Sequence, residues 1–283
     1  MRINTNINSM RTQEYMRQNQ DKMNTAMNRL SSGKRINSAA DDAAGLAIAT
    51  RMKAREGGLN VAARNTQDGM SLIRTAESAM NSVSNILLRM RDLATQSANG
   101  ANTSGNQSSL QKEFGELKKQ IEYIADNTQF NDQNLLDGTN TTITIQTMDT
   151  GTESQQIGVA LDSVKLDALT LSSIVIGEDD PADPASPATA ASAQEAISAL
   201  DLALAKVAGS RATLGATLNR LDFNVESLNN QATNMASTAS QIEDTDMAKE
   251  MSEMTKFKIL NEAGISMLSQ ANQTPQMVSK LLQ

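Results

Sequence analysis

Any chemistry in this chain depends on carboxylates, lysines and hydroxyls, because its 283 residues include no histidine and no cysteine. Their absence excludes Ser-His-Asp and Cys-His nucleophile systems, zinc sites with His or Cys ligands, iron–sulfur clusters and disulfides. The most suggestive acidic pair is Asp41-Asp42, at the start of a predicted helix. Adjacent carboxylates there can bind a metal ion, but they more often cap the helix. We therefore expect no catalytic residue, no cofactor and no metal.

The core must be built from aliphatic side chains. Aromatic residues make up 2% of the chain and tryptophan is absent, so Leu, Ile, Val, Met and Ala have to supply the buried surface. This composition favours helix-on-helix packing. All four prolines lie after residue 180, so long helices can form before that point without interruption.

The charge is acidic overall but unevenly distributed. The net charge is −7 and the pI is about 4.8, which argues against nucleic acid as a partner. Residues 1–75 carry 12 basic and 6 acidic side chains, a net charge of +6, whereas the rest carries 13 basic and 26 acidic ones, a net charge of −13. We expect the two parts to attract each other.

Neither a membrane span nor a secretory signal is present in the pattern. No run of about 18 apolar residues occurs, so we predict no membrane insertion. The opening residues, MRINTNINSMRTQEYMRQNQ, are polar and lack an apolar central stretch and a cleavage site. By themselves these features indicate a soluble cytoplasmic protein.

Apolar spacing predicts long helices in the first half of the chain. The first extends from about Ile3 to Leu30 and ends at Gly33, a residue suited to a helix C-cap. The second carries a heptad seam with spacings of three and four, formed by Leu59, Ala62, Thr66, Gly69, Ile73, Ala76, Met80, Val83, Leu87, Met90 and Ala94. A third helix should pair with it antiparallel, through Leu110, Phe114, Leu117, Ile121 and Ile124.

The period then changes from helical spacing to alternation. Residues 141–147 and 157–161 alternate apolar and polar side chains around a glycine-containing turn at 149–152, which predicts a β-hairpin region at about 140–177. An acidic, proline-containing stretch follows at residues 178–193, EDDPADPASPATAASA, and we predict it to be an exposed loop.

Two further helices are predicted after this loop. A seam of apolar residues from Ile197 to Ile242, interrupted only by Arg211, predicts a helix of roughly 70 Å. A final amphipathic helix at about 245–282 should align one apolar stripe, formed by Met254, Phe257, Leu260, Gly264, Met267 and Ala271.

These elements predict a mainly α protein, an elongated antiparallel coiled-coil helix bundle with a small β-hairpin region. The first and last helices carry apolar stripes with too few partners inside one chain. Two interpretations remain open at this point: the stripes bind neighbouring subunits, or they complete a coiled coil within the chain.

Both ends of the chain resemble one family. The run RLSSGKRINSAADDAAGLAIA from Arg29 to Ala49, the opening MRINTNINSM and the stretch TQFNDQNLLDG from Thr128 to Gly138 are similar to the N-terminal region of bacterial flagellin. The stretch SQIEDTDMAKEMSEMTKFKIL from Ser240 and the final SMLSQANQTPQMVSKLLQ are similar to the flagellin C-terminus. The resemblance covers about residues 1–140 and 195–283.

The resemblance implies a structural subunit of the flagellar filament that serves swimming motility. It further implies an inner domain of residues 1–42 and 240–283 and a rod domain of residues 43–239. The subunit would leave the cell unfolded through the flagellar type III system, so the resemblance replaces the cytoplasmic interpretation with a secreted, extracellular one. The implied partners are many copies of the chain itself, the export apparatus, an export chaperone, the filament cap and hook-associated proteins.

Two sets of candidate site residues follow. The polymerisation set on the terminal helices is Ile3, Ile7, Met10, Met23, Met27, Leu30, Met254, Phe257, Leu260, Met267 and Leu268. By similarity to flagellins that a vertebrate Toll-like receptor senses, the receptor set is Arg89, Leu93 and Glu113, which we expect to reach the surface. These three residues could equally serve packing between subunits.

Three alternatives compete with a filament subunit. A hook–filament junction protein of the same assembly shares the terminal helices. An enzyme would have to act through Asp, Glu, Lys or Ser, and no such constellation stands out. A monomeric coiled-coil adaptor would use the same heptads without forming filaments.

Overall fold

The computed structural model describes residues 6–152, 155–177 and 190–281, and in these ranges the chain is mainly helical, as predicted. The helices are α1 (Ile7–Ser32), α2 (Ala43–Ser97), α3 (Ser104–Asn127), α4 (Ala190–Glu243) and α5 (Met247–Leu281). The strands are β1 (Gln129–Phe130), β2 (Gln133–Asn134), β3 (Thr142–Gln146) and β4 (Gln156–Ala160). Ile3 and most of the predicted acidic loop lie outside the described residues.

The chain divides into two compact units. The terminal unit comprises Met1–Glu56 and Ala232–Gln283, and the central unit comprises Gly57–Gln231. These bounds differ from the predicted division at residues 42 and 240, which concerns positions inside a filament and stays a prediction.

The heptad seam of α2 faces the core of the central unit. Every member of the predicted seam from Leu59 to Ala94 is buried, and α2 continues as helix through Gly57-Gly58. α3 runs antiparallel to α2, as predicted, with Phe114 and Ile121 fully buried against it. α4 adds Leu200, Val207, Leu214 and Leu221 to the same core. At the break in its seam, Arg211 pairs with Glu77 of α2 at 3.6 Å.

The predicted hairpin is present as β3 and β4. Its antiparallel register pairs Ile143 with Val159 and Ile145 with Ile157, so the alternating apolar side chains share one face and pack on the core. A second, shorter hairpin joins β1 to β2 through Asn131 and Asp132, which both have positive φ (49° and 61°). Asn and Asp tolerate this left-handed conformation, so Asn131-Asp132 is a turn signal in the sequence that apolar periodicity does not reveal.

The segment after β4 is held by buried polar side chains rather than by regular structure. Gln111 of α3 is buried, and its Oε1 accepts hydrogen bonds from the backbone amides of Ile176 (2.8 Å) and Gly177 (3.1 Å). The Ser97 hydroxyl at the end of α2 donates to the Ile176 carbonyl. These bonds satisfy buried backbone groups that no strand or helix pairs.

The two phenylalanines at opposite extremes of exposure test this core. Phe114→Ala removes a side chain with 0% exposure and should lower the free energy of unfolding of the central unit by about 3–5 kcal/mol. Phe223→Ala makes the same chemical change at a side chain that is 73% exposed and should cost no more than about 0.5 kcal/mol. Urea unfolding followed by circular dichroism measures both, and equal losses would contradict the assigned core.

Candidate assembly surface

α1 and α5 pack against each other in antiparallel orientation within the terminal unit. The Asn6 side chain donates to the Ala271 carbonyl at 2.9 Å, and Asn6 also caps α1 by accepting from the Ser9 amide. Further along, the Asn261 amide donates to Gln20 Oε1 at 2.6 Å. The positively charged Lys22 Nζ lies 5.7 Å from the centre of the Phe257 ring, within reach of a cation–π interaction. The terminal stripes therefore meet each other inside the chain.

The burial pattern defines which side of each helix faces the other. On α1 the shielded positions that follow a heptad are Ser9, Thr12, Met16, Asn19, Met23, Ala26 and Leu30, and Gln20 and Arg29 are partly shielded as well. On α5, up to residue 273, the shielded row comprises Glu250, Met254, Phe257, Asn261, Gly264, Leu268 and Ala271, with Glu253 beside it. Two members of the predicted stripe, Leu260 and Met267, are 41% and 64% exposed and therefore do not face α1. Asn261 and Leu268, one residue further along, take these places.

Gly264 permits the close approach of the two helices. A Cβ atom built on Gly264 would lie 2.7 Å from Cγ of Met16, well inside van der Waals contact. The larger Phe257 and Met254 side chains lie on the same side of α5 and are half-buried.

The outer sides of the terminal helices remain apolar and uncovered. Among the described residues, sixteen large hydrophobic side chains are exposed, and ten of them lie on α1 and α5. They are Ile7, Met10, Tyr15, Met27, Met247, Met251, Ile259, Leu260, Ile265 and Met267. A helix with apolar residues on several sides needs more than one partner. We call these ten side chains the outer apolar faces.

Backbone hydrogen bonds join the segment that follows α1 to the segment that precedes α5. Gly33 ends α1 with a positive φ of 71°, the left-handed C-cap conformation that glycine adopts freely. Its carbonyl accepts from the Thr245 amide at 3.0 Å, and the Arg35 amide donates to the Glu243 carbonyl at 2.6 Å. The Arg35 guanidinium donates to the Ile242 carbonyl at 2.7 Å. We refer to residues 33–36 and 242–245 as the connector clamp.

Glu243 is the central charged residue of the connector clamp. Its side chain is only 7% exposed and pairs with Lys34 Nζ at 2.6 Å and with Lys53 Nζ. Hydrogen bonds from Lys34 and then Lys53 lower the pKa of Glu243, and the same carboxylate raises the pKa of Lys34. The partners come from the basic first part and the acidic last part of the chain, which agrees with the attraction expected from the charge distribution.

A second ionic contact lies beside the clamp. Glu250 is buried, and its Oε1 lies 3.8 Å from Nη1 of Arg29. That distance is too long for a hydrogen bond, so the attraction between them is mainly coulombic. The contact links the last turn of α1 to the first turn of α5, where Glu250 also complements the helix dipole.

The acidic pair Asp41-Asp42 organises the start of α2. Asp42 Oδ1 accepts from the Gly45 amide at 2.9 Å, as an N-cap side chain does. Asp41 Oδ2 accepts from the backbone amides of Ser38 and Asn37 and from the Ser38 hydroxyl, and these bonds lower the pKa of Asp41. Among the described residues, no three acidic side chains converge in a way that would hold a metal ion.

The receptor candidates lie on α2 and α3 of the central unit. Nε and Nη2 of Arg89 both donate to Glu113 Oε1, at 2.9 and 2.6 Å, and the two side chains are about half exposed. Leu93 is only 1% exposed, so the expectation that it reaches the surface is wrong. The reason is that α3 and α4 both pack on α2, so more than one row of α2 side chains is buried. Leu93 lies in the core together with Met90 and Ala94.

In the described ranges, none of the helices combines the length and hydrophobicity that a membrane span requires.

Comparison with known proteins agrees with this arrangement. The bacterial flagellin N-terminal helical region matches residues 3–141, and the bacterial flagellin C-terminal helical region matches residues 197–282. Flagellin of Listeria innocua is 45% identical, with 100% of this chain and 99% of that protein covered. Flagellin of Halalkalibacterium halodurans is 44% identical over the whole of both chains.

One solved structure shows how far the fold alone extends. A putative flagellar hook-associated protein from Vibrio parahaemolyticus has a TM-score of 0.59 and 16% identity, and the match covers 72% of this chain and 100% of that one. At that identity the likeness concerns the fold only.

Helices that pair the two ends of the chain and keep apolar faces uncovered, together with these matches, define a helical structural protein of the bacterial flagellum. The chain belongs to the bacterial flagellin family. Membership in this family implies a subunit of the flagellar filament.

Glu243→Gln tests the connector clamp through its pH dependence. The folded pKa of Glu243 lies below its unfolded value of about 4.3, so its contribution to stability is complete above that pH and is lost as the pH falls through the folded pKa. The substitution should therefore cost about 1–3 kcal/mol at pH 7 and progressively less as the solution is acidified towards pH 3. Urea unfolding at both pH values measures the difference.

Glu116→Gln is the matched control, because Glu116 pairs with Lys119 at 2.8 Å with both side chains more than 70% exposed. It should cost about 0–0.5 kcal/mol at either pH. A loss for Glu243→Gln that is independent of pH, or as small as that of the control, would contradict the assigned role.

Proposed function

We propose that this chain polymerises into the flagellar filament outside the cell and serves swimming motility. The observation that carries the proposal is the concentration of ten exposed apolar side chains on the two terminal helices. Their cost in water is removed when neighbouring subunits cover them, which makes assembly the natural way to complete the terminal unit.

The energetics favour a polymer over an isolated chain. Full burial of one large apolar side chain gains about 1.5–3 kcal/mol, and several such gains exceed the cost of immobilising a subunit. Because the outer apolar faces of α5 lie on more than one side of the helix, one partner does not cover them all. Contacts that join different surfaces of successive subunits are heterologous, and they continue from copy to copy to generate a helical filament.

The predicted polymerisation residues divide into two roles under this proposal. Subunit contacts are assigned to the exposed members, Ile7, Met10, Met27, Leu260 and Met267. Formation of the α1–α5 pair is assigned to the half-buried members, Met23, Leu30, Met254, Phe257 and Leu268. In the filament, residues 1–42 and 240–283 form the inner domain and residues 43–239 form the rod domain.

The subunit reaches its site of assembly unfolded, through the flagellar type III export system, with an export chaperone, the filament cap and hook-associated proteins as partners. The absence of cysteine supports this route, since folding after export then needs no disulfide. The small aromatic content also leaves few bulky side chains to pass a narrow channel.

A junction protein between hook and filament is the alternative within the same assembly. The fold does not distinguish the two, because a putative hook-associated protein shares it at 16% identity. Identity of 44–45% along the entire length of two flagellins favours the filament subunit.

Truncation tests assembly. Deleting residues 1–20 or 264–283 shortens one helix of the α1–α5 pair. Either deletion should abolish filaments in electron microscopy after addition of seeds or salt, while circular dichroism still reports a helical central unit.

A point variant avoids the deletion. Ile259→Asp with Ile265→Asp should slow seeded elongation more than tenfold, because carboxylates replace side chains that are both 58% exposed.

Ile259→Leu with Ile265→Leu is the control and should elongate like the unmodified chain. Filaments from either truncated chain would refute the assignment of the terminal helices. An intact chain that fails to elongate on seeds would instead favour the junction protein or a monomeric adaptor.

We further propose that the Arg89–Glu113 pair contributes to recognition by the vertebrate flagellin receptor, with packing between subunits as its competing role. Arg89→Ala and Glu113→Ala should each reduce receptor-reporter activation by monomeric protein about tenfold, since either change removes a charged hydrogen-bond partner. Arg91→Ala is the control, because Arg91 pairs with Asp201 at 2.7 Å at similar exposure. Unchanged activation by both variants would restrict the pair to packing.

A further inference from the structure

We propose that the outer apolar faces form an oxidation-sensitive switch, in which conversion of exposed methionines to methionine sulfoxide reversibly blocks addition of the subunit to a filament. The inference rests on the proposed assembly function and adds a chemical modification that controls it. Five of the ten side chains that form these faces are methionines: Met10, Met27, Met247, Met251 and Met267.

Their exposure sets these methionines apart from the others whose side chains the structure describes. They are 61%, 49%, 48%, 47% and 64% exposed, respectively. Met70, Met80 and Met90 of the central unit are 9%, 0% and 0% exposed. Because oxidation requires access of the oxidant to sulfur, the five outer methionines should react before those in the core.

The same two helices contain an internal comparison set. Met16, Met23 and Met254 face the α1–α5 contact and are half-buried. Met16 is also in close contact with Gly264. These three methionines lie on the same helices as the outer five but are partly shielded by the α1–α5 contact, so their reaction should be slower.

The composition makes methionine the main target of an oxidant in this chain. The chain has 16 methionines but no cysteine, histidine or tryptophan, so thioether sulfur is its most readily oxidised group. Hydrogen peroxide is the co-reactant: the sulfur lone pair attacks one peroxide oxygen and the O–O bond breaks. The departing hydroxide takes the proton from the oxygen now bound to sulfur and leaves as water, so the sulfoxide remains. Sulfur loses two electrons, peroxide gains them, and one sulfur–oxygen bond forms.

The product changes the property on which assembly depends. A sulfoxide is polar and accepts hydrogen bonds, whereas an apolar contact between subunits offers it no donor. Each buried sulfoxide would therefore oppose the contact that the thioether supports. Methionine sulfoxide reductases restore the thioether, so the block is reversible. A subunit already in a filament should be protected, because its outer apolar faces are covered.

The experiment compares free subunits with filaments. Purified full-length subunits and preformed filaments are treated with the same concentration of hydrogen peroxide, and each methionine is followed by peptide mass spectrometry. The five outer methionines of the free subunit should oxidise at least several-fold faster than Met16, Met23 and Met254, and at least several-fold faster than in filaments. Oxidised subunits should elongate seeds at least tenfold more slowly, and reductase treatment should restore the rate.

Matched variants assign the effect to the outer apolar faces. Replacing the five outer methionines by leucine keeps apolar volume and removes the reactive sulfur, so elongation should survive peroxide. Replacing Met16, Met23 and Met254 by leucine should leave the sensitivity unchanged. A second comparison needs no oxidant: Met251→Gln with Met267→Gln should slow elongation more than Met251→Leu with Met267→Leu does, because leucine keeps the replaced side chains apolar.

The outcomes separate this proposal from the function on which it rests. Untreated subunits that do not elongate would overturn the assembly function, and the switch with it. Untreated subunits that elongate, together with oxidised subunits that elongate equally well, would overturn the switch alone. Equal peroxide sensitivity of the five-leucine variant, or equal oxidation of outer and inner methionines, would also overturn it.

Discussion

The antiparallel contact between α1 and α5 joins residues more than 200 positions apart, and the terminal unit depends on it. The contact is thin, because each helix contributes one row of side chains and several of these are polar. Asn19 and Asn261 lie in rows where a coiled coil ordinarily places apolar residues. Polar residues at such positions reduce stability but favour one register over its alternatives. The pairing thus specifies alignment and leaves the apolar surface on the outside.

The connector clamp adds a set of polar contacts to the α1–α5 pairing. Three backbone hydrogen bonds and a buried carboxylate join residues 33–36 to residues 242–245. The clamp is polar and specific, whereas the outer apolar faces are apolar and adaptable. This difference suits the proposed assembly, in which the ends of one chain are aligned by the connector clamp and the outer apolar faces are covered by neighbours. The charge asymmetry along the sequence supplies the attraction, and the fold concentrates it at Glu243.

Methionine has a distinct place in each unit. In the central unit it fills a core without large aromatic side chains, where its flexible thioether adapts to the spaces between helices. On the outer apolar faces the same flexibility suits the contacts with several neighbours that the proposed assembly requires. The two uses differ in exposure rather than in residue type. The composition therefore predicts many flexible side chains, and the tertiary structure decides which methionines are exposed to solvent.

The sequence by itself determined the long helices, the β3–β4 hairpin and the buried seam of α2, because a sustained period of 3.5 or 2 leaves few alternatives. It also carried the flagellin resemblance at both ends. The tertiary structure decided the side of α5 that faces α1, since apolar residues lie on several sides of that helix and the heptad pattern selects none. It likewise placed Leu93 in the core and Glu243 between two lysines. Those positions depend on which elements pack together, and spacing along one helix does not contain that information.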